Sequence, residues 1–394
     1  MMNRLLHTPE GVRDIYNEEY RIRQKLMEQM MTNISSYGYE SIATPTFEFF
    51  DVFGKDIGTN PSKNLYKFFD REGNTLVLRP DFTPSVARAA SKYFSDEKKP
   101  IRLSYAGNVF LNTPGYQGRL HESTQLGAEF IGDDSLDADS EMIAMACSCL
   151  ISAGLKDFKI SIGHASIFGG LVAAASFNED EIDELKELIL NKNFFGVEEF
   201  IQKKSLSEEL KTLFLLLKRF YSAPEEWAQM IEAAQNYPMI RDALFYLEKL
   251  NDLLKVYGVD SYVSYEMGLL SPYRYYTGVI FSGYTYGSGE PIIKGGRYDR
   301  LLKNFGKDVP AIGFAVFVES LQLAIDRQKI AISTERQMNV ILYKKDDRKK
   351  AITVAKRYRD YGKIVLLRRI TDSETKEQLI KEYAAYDVEV VEGE

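Results

Sequence analysis

Three short apolar runs between Leu76 and Gly132 alternate with polar residues at a period of two. They are Leu76-Val77-Leu78-Arg79-Pro80-Asp81-Phe82-Thr83-Pro84, Arg102-Leu103-Ser104-Tyr105-Ala106-Gly107-Asn108-Val109-Phe110 and Gln125-Leu126-Gly127-Ala128-Glu129-Phe130-Ile131-Gly132. An extended chain puts every second side chain on the same face, so each run reads as a β-strand with one polar side. Arg79, Asp81, Thr83, Gln125 and Glu129 are the polar residues that could line a site. A carboxylate, a hydroxyl and an amide on neighbouring strands make a cradle for the ammonium group of an amino acid.

The rest of the chain sets bounds on that reading. Its 394 residues suggest two or three domains, and with 45% hydrophobic residues it has the means to fill a core rather than stay disordered. A net charge of −7 and a pI near 5.4 give no electrostatic footprint for nucleic acid. Cys147 and Cys149 are one residue apart, a spacing that suits neither zinc nor a disulfide framework, and they read as two small buried residues. His7, His121 and His164 have no second histidine or cysteine at ligand spacing, so no metal is expected. Nor is a cofactor. With no signal peptide and no apolar run near the ~18 residues of a membrane span, the expected compartment is the reducing cytoplasm.

Helix-forming periodicity appears over Glu18–Tyr37, where Ile22, Leu26, Met30 and Ile34 repeat every four residues ahead of Gly38. Glu40–Phe50 reads as a strand interrupted by Pro45, and Ser62–Asp70 with Thr75–Leu78 as a hairpin. A short helix is expected over Thr83–Phe94, another over Ser140–Ala153, and a strand then a helix over Lys159–Gly163 and His164–Ala175. Residues 179–258 change character, with amphipathic helices over Glu181–Ile189, Leu210–Phe220, Pro224–Ala234 and Met239–Tyr257. Phe214, Phe220, Tyr221 and Trp227 are expected in the helical core. Strands resume at Tyr262–Glu266 and Tyr275–Ser282. Gly295-Gly296 lacks the lysine–serine/threonine pair of a phosphate loop, so the two glycines are expected to allow close backbone approach to a ligand. Gln328–Gln337 reads as a linker to a small βαβαβ unit: strands at Met338–Tyr343, Ile364–Arg369 and Val388–Val391, helices at Lys349–Tyr361 and Thr375–Tyr386. The lysines at 344, 345, 349 and 350 are interrupted by Asp346 and Asp347, which fits a solvated face.

The 76–132 stretch resembles the core of histidyl-tRNA synthetase, a class II aminoacyl-tRNA synthetase. Arg79–Thr83 sits where that family has arginine-proline-glutamate-glycine-threonine, and Gln125 and Glu129 match a glutamine and a glutamate closing its second motif. Tyr275-Tyr276-Thr277-Gly278-Val279-Ile280-Phe281 and Gly295-Gly296-Arg297-Tyr298-Asp299 are similar to the histidine-specific signature, and Gly313-Phe314-Ala315 to the third motif. The resemblance spans about residues 7–325 in the family's order. It implies an α+β fold: a class II synthetase-like antiparallel sheet with flanking helices over residues 1–325, a helical insertion over about 179–258, and a truncated anticodon-domain-like α/β unit over 336–394. It implies a dimer interface at Glu40–Phe50, and histidine-binding roles for Asp81, Thr83, Gln125, Glu129, Tyr275 and Tyr276. Arg79, Arg119 and Gly296 are possible contributors. Tyr275 and Tyr276 are expected to alternate across a strand, which leaves Tyr276 as the one facing the imidazole. Asp81 stands where glutamate is usual, one methylene shorter.

The departures shape the functional expectation. Leu111 replaces the second-motif arginine that holds the ATP α-phosphate, and Thr113 the glutamate that contacts adenine. Ser271 and Ser320 stand where catalytic and γ-phosphate arginines belong. Arginine supplies fixed charge and a planar donor fork that leucine and serine lack. One lost transition-state donor typically costs about 2.7–4 kcal/mol, or roughly 10²–10³ in rate. An intact amino-acid side beside a dismantled ATP side is the pattern of the ATP phosphoribosyltransferase regulatory subunits, a family similar to histidyl-tRNA synthetase. It implies a non-catalytic subunit required by a short-form catalytic subunit, mediating feedback inhibition by histidine as a homodimer within a hetero-octamer, without nucleic acid or membrane. A working histidyl-tRNA synthetase and a free-standing histidine-binding protein are the competing readings.

Overall fold

The computed structural model describes residues 4–54, 61–113, 120–271, 275–334 and 337–392. The chain divides into two compact units, Met1–Ile332 and Ser333–Glu394.

The larger unit opens with helix α1 (Asn17–Ser36), which buries Leu26, Met30 and Ile34. The run after it is two strands rather than one. β1 (Glu40–Ser41) joins the main sheet, and β2 (Phe47–Phe49) joins a small sheet with β3 (Lys67–Phe69) and β4 (Thr75–Leu78), in the order β2-β4-β3. The break has a physical cause. The carbonyls of Thr44 and Pro45 accept hydrogen bonds from the Arg79 guanidinium, at 2.8 and 3.2 Å, instead of extending a ladder.

Helix α2 (Thr83–Tyr93) leads to a long hairpin, β5 (Ile101–Phe110) and β6 (Glu122–Ile131), paired from Ile101↔Ile131 to Phe110↔Glu122. Helix α3 (Leu136–Ser152) is capped by the Ser135 side chain and buries both cysteines; burial pushes the Cys147 thiol up to about 12. β7 (Phe158–His164) and α4 (Ala165–Ala175) follow.

The insertion holds α5 (Glu179–Leu190), α6 (Phe194–Gln202), α7 (Glu208–Leu216), β8 (Phe220–Tyr221), α8 (Ala228–Ala233) and α9 (Pro238–Val256). Helix α6 was not expected from the sequence, because Gly196 interrupts its short apolar pattern. Phe214, Tyr221 and Trp227 are buried as expected, and Trp227 meets Tyr265 edge-on at 4.7 Å. Phe220 is the exception: it lies in β8, 59% exposed.

β9 (Val263–Glu266), β10 (Val279–Thr285), β11 (Ile293–Arg297), β12 (Ala311–Phe317) and α10 (Val318–Gln328) complete this unit. The main sheet has nine strands in the order β1-β5-β6-β12-β11-β10-β7-β9-β8. Its run from β5 to β7 is antiparallel throughout. This is the mixed α+β, antiparallel-sheet architecture expected from the resemblance. One face of β6 sends Leu126, Ala128 and Phe130 into the main core. Leu103, Tyr105, Val109 and Ile131 belong to a second cluster with Phe82 and Tyr298.

A buried ion pair ties these parts together. Asp139 on α3 is fully buried against Arg297 at the end of β11, whose Nε donates to Oδ1 at 2.9 Å. Tyr246 from α9 donates to the other Asp139 oxygen at 2.6 Å.

The smaller unit is a three-stranded parallel sheet, with β13 (Met338–Tyr343) between β14 (Ile364–Arg369) and β15 (Asp387–Val391), and with α11 (Arg348–Asp360) and α12 (Lys376–Glu382) as connections. Successive β13 residues alternate between two small cores. Val340 and Leu342 pack with Leu379 of α12, and Ile341 packs with Ala351 and Ala355 of α11. Among the described residues no helix is long and apolar enough to cross a membrane.

Removing one partner of a buried ion pair leaves an uncompensated charge and costs about 3–5 kcal/mol. Arg297→Met should therefore destabilise the protein by about that much. Urea titration followed by tryptophan fluorescence measures it; a loss below about 1 kcal/mol would show that Asp139 is not charged in the folded state.

Candidate functional site

Residues four apart on a strand share a face, so Gln125 and Glu129 of β6 point the same way. The turn between β4 and α2 brings Asp81 and Thr83 onto that face, and the segments before β10 and after β11 add Tyr275, Tyr276 and Tyr298. These residues line one pocket with Lys294, Gly313 and Phe317.

Glu129 is its centre. The Thr83 hydroxyl donates to Oε1 at 2.8 Å and the Tyr298 hydroxyl to Oε2 at 2.5 Å. The Tyr105 hydroxyl lies 3.4 Å from both Oε1 and the carbonyl of Phe314. The carboxyl rests on the backbone of β12. A Cβ at Gly313 would fall 1.6 Å from Oε2, so only glycine fits there. Burial pushes the carboxyl up to about 8, against the pull of the Tyr298 and Thr83 hydroxyls, and the nearby Asp81 pushes the same way as burial. Asp81 is itself buried and raised to about 6, held down in part by the backbone N–H groups of Thr83 and Phe82. Gln125 is 6% exposed, and its Oε1 has no hydrogen-bond partner. Two buried acids, together with an open amide oxygen, form a set of acceptors for a ligand carrying several N–H donors.

The inner pocket has a cavity of about 20 Å³, enough for one water. Tyr276 and Lys294 also line an adjoining cavity of about 160 Å³, which reaches Ser271, Leu269 and Ile280. A ligand placing an ammonium beside Glu129 would have its body pass Tyr276 into this larger space.

The structure brings Asp81, Thr83, Gln125, Glu129, Tyr275 and Tyr276 together. It corrects the expected alternation of the two tyrosines: β10 begins only at Val279, so Tyr275 and Tyr276 lie before the strand and both reach the pocket. Their rings are 4.7 Å apart, and Tyr275 meets Tyr298 edge-on at 5.7 Å. Gly296 gives close approach to Tyr276 rather than to the ligand, since a Cβ there would meet that ring at 2.8 Å. Arg79 does not line the pocket. Its Nε donates to the Asn108 carbonyl at 2.8 Å and its guanidinium stacks on Phe82 at 4.0 Å. Arg119 lies outside the described residues. Tyr105, Tyr298, Gly313 and Lys294 were not expected as site residues. Tyr298 and Gly313 sit inside recognised motifs, but nothing local marks Tyr105 or Lys294.

The family model for histidyl-tRNA synthetase matches residues 11–321. An ATP phosphoribosyltransferase regulatory subunit of Ruminiclostridium cellulolyticum is 38% identical over 354 residues, covering 90% of this chain and 84% of that one. Its counterpart in Acetivibrio thermocellus is 35% identical over 360 residues, covering 91% and 85%. The chain belongs to the ATP phosphoribosyltransferase regulatory subunit family. A crystal structure described as an ATP phosphoribosyltransferase regulatory subunit/histidyl-tRNA synthetase, from Bacillus halodurans, superposes with a TM-score of 0.86 at 32% identity, covering 99% of each chain. A Nostoc histidyl-tRNA synthetase shares the fold, with a TM-score of 0.80 at 19% identity over 96% of this chain and 89% of that one. The pocket of this chain is thus set in a synthetase fold.

The raised carboxyls give a pH signature. A carboxyl with its folded pKa above its unfolded one contributes stability that is present below the unfolded value and lost as pH rises through the folded value. For Glu129 that window runs from its ordinary 4.5 to about 8. The ligand-free protein should lose stability across this window by up to about 1.4 kcal/mol per pH unit from this group. Glu129→Gln should flatten the loss between pH 6 and 8, where Asp81 contributes less. Urea midpoints at several pH values check this, and parallel curves for the two proteins would contradict it.

Proposed function

We propose that this chain is a regulatory subunit without catalytic activity of its own, required by a short-form ATP phosphoribosyltransferase catalytic subunit, and that histidine bound in the Glu129 pocket mediates feedback inhibition of that partner. The observation that carries the reading is the buried acid pair. Glu129 and Asp81 are held away from water among hydroxyls and backbone N–H groups, an arrangement that costs free energy until a cation arrives. The α-ammonium of an amino acid supplies that cation, with a further N–H donor for Gln125. The tyrosines at 275 and 276 offer ring faces to an imidazole. The other half of a synthetase site is missing its cations: Leu111, Ser271 and Ser320 carry no charge to hold a triphosphate.

Self-association through residues 40–53 is part of the proposal. Phe47 and Phe49 of β2 are 52% and 56% exposed, and Phe47 meets Phe68 of β3 edge-on at 5.7 Å. An apolar sheet face of this kind fits a second copy inside a hetero-octamer. Two buried thiols fit a reducing cytoplasm.

Two measurements test the proposal. Mixed with the short-form catalytic subunit, the chain should support phosphoribosyl transfer that histidine inhibits. Hydrogen bonds to a charged group are worth about 1.5–3 kcal/mol, so Glu129→Ala should weaken histidine binding roughly ten- to hundredfold and abolish inhibition while the subunits still co-elute. Equal inhibition of the complex by histidine with and without Glu129→Ala would place the sensor elsewhere. Light scattering at micromolar concentration should give a dimer or larger, and Phe47→Asp with Phe49→Asp should shift it toward monomer. A monomeric unsubstituted chain would rule out this interface.

A further inference from the structure

Tyr275, Tyr276 and Tyr298 of the pocket come from two chain segments. The first two precede β10, and Tyr298 follows β11. The β10–β11 pairing ends at Ile280↔Gly296, before either tyrosine segment is reached.

Thr277 bridges the two segments beyond that point. Its backbone N–H donates to the Arg297 carbonyl at 2.8 Å, and its hydroxyl donates to Oδ2 of Asp299 at 2.7 Å. The same hydroxyl accepts from the backbone N–H of Asp299 at 3.0 Å. The Arg297 carbonyl is a second acceptor for it at 3.4 Å, but the single hydroxyl proton goes to the nearer, charged oxygen. Thr277 is thus bonded to the residue before Tyr298 and to the residue after it.

Asp299 is held through its other oxygen. Arg297 Nη1 donates to Oδ1 of Asp299 at 3.3 Å and to the Asp133 carbonyl at 3.0 Å, while its Nε holds Asp139. Gly278 makes room for this arginine, since a Cβ there would fall 3.0 Å from Arg297 Cδ. The Gly278 carbonyl accepts from the N–H of Ala165 at the start of α4, at 2.9 Å. The clasp therefore registers Tyr298, whose hydroxyl reaches Glu129, against Tyr275 with its ring 5.7 Å away, and against Tyr276 beside it. The Asp299 side chain is 37% exposed, so water can replace the Thr277 hydroxyl there at small cost to the fold. Water cannot hold the two segments in register.

We propose that Thr277, acting through Asp299, is a positioning residue for the pocket. Its hydroxyl sets the acid end at Glu129 against the tyrosine wall, and with it the affinity for a ligand that touches both. The proposal rests on the reading of this pocket as a histidine site.

Calorimetric titration of the full chain with L-histidine tests it. Thr277→Val keeps the shape of the side chain and removes the hydroxyl, and should weaken histidine binding roughly tenfold. Thr277→Ser keeps the hydroxyl and loses the methyl group, and should stay within about threefold of the unsubstituted protein. A side chain that only filled space would give the reverse order. Asp299→Ala should weaken binding at least as much as Thr277→Val. The double variant should go no further than Asp299→Ala, because no carboxylate is left for the hydroxyl to lose. Urea midpoints check that each variant is folded, and Asp299→Ala set against Thr277→Ser carries the test if Thr277→Val unfolds. Unchanged affinity in Thr277→Val or Asp299→Ala, weaker binding by Thr277→Ser than by Thr277→Val, or additive losses in the double variant overturn this inference and leave the pocket assignment standing. Absence of histidine binding to the unsubstituted protein overturns both.

Discussion

Glu129 holds a carboxyl group out of water with three hydroxyl groups around it, and burial is the largest influence on its pKa. Hydroxyl donors favour its ionised form, yet they do not offset the loss of hydration, so the group stays near neutral in the ligand-free protein. The surroundings answer to this constraint. Gly313 leaves room beneath the carboxyl, Thr83 begins α2 within reach of one oxygen, and Tyr298 closes on the other from the end of β11. A ligand ammonium completes the set, and binding it should drive a proton from Glu129. On the proposed reading, recognition of a cation sits in the buried core of the sheet, where salt screens less than at a surface.

The same arrangement explains why distant parts of the chain matter to the pocket. Tyr298 directly follows Arg297, which is fixed by Asp139 of α3 and, through Asp139, by Tyr246 of the helical insertion. Arg297 also reaches Asp299, whose other oxygen accepts from Thr277, next to Tyr276. The insertion, α3 and both tyrosine-bearing segments are thus linked by hydrogen bonds, buried at Asp139–Arg297 and part-buried elsewhere, to Arg297, the chain neighbour of the tyrosine that contacts Glu129. In an oligomer, a change at the insertion would have a physical route to the pocket.

How much of this was legible in the sequence depended on range. Local periodicity located β4, β5 and β6, the four-residue repeat gave α1, and the strands Met338–Tyr343 and Ile364–Arg369 were read with their observed ends. Resemblance supplied Asp81, Thr83, Gln125 and Glu129, which the structure gathers. The misses came where tertiary contacts override local pattern. Arg79 takes the carbonyls of Thr44 and Pro45 and splits one expected strand into two. Tyr275 and Tyr276 escape alternation because β10 starts three residues after Tyr276. Phe220 sits on an edge strand instead of in a helix. Tyr105 and Lys294 could not be assigned at all without the order β5-β6-β12-β11, which joins strands far apart in the chain.

The central claim is that the fold keeps amino-acid recognition and has given up activation of the amino acid. On that proposal, uncharged Leu111, Ser271 and Ser320 stand where the synthetase resemblance implies cations for a triphosphate, while the acid pair, Gln125 and the tyrosines line the pocket. Histidine-dependent exchange of labelled pyrophosphate into ATP tests this most directly, run on a sample in which calorimetry has already measured histidine binding. The account predicts saturable histidine binding with exchange no faster than the protein-free blank. Exchange that requires histidine and turns over many times per chain would contradict it.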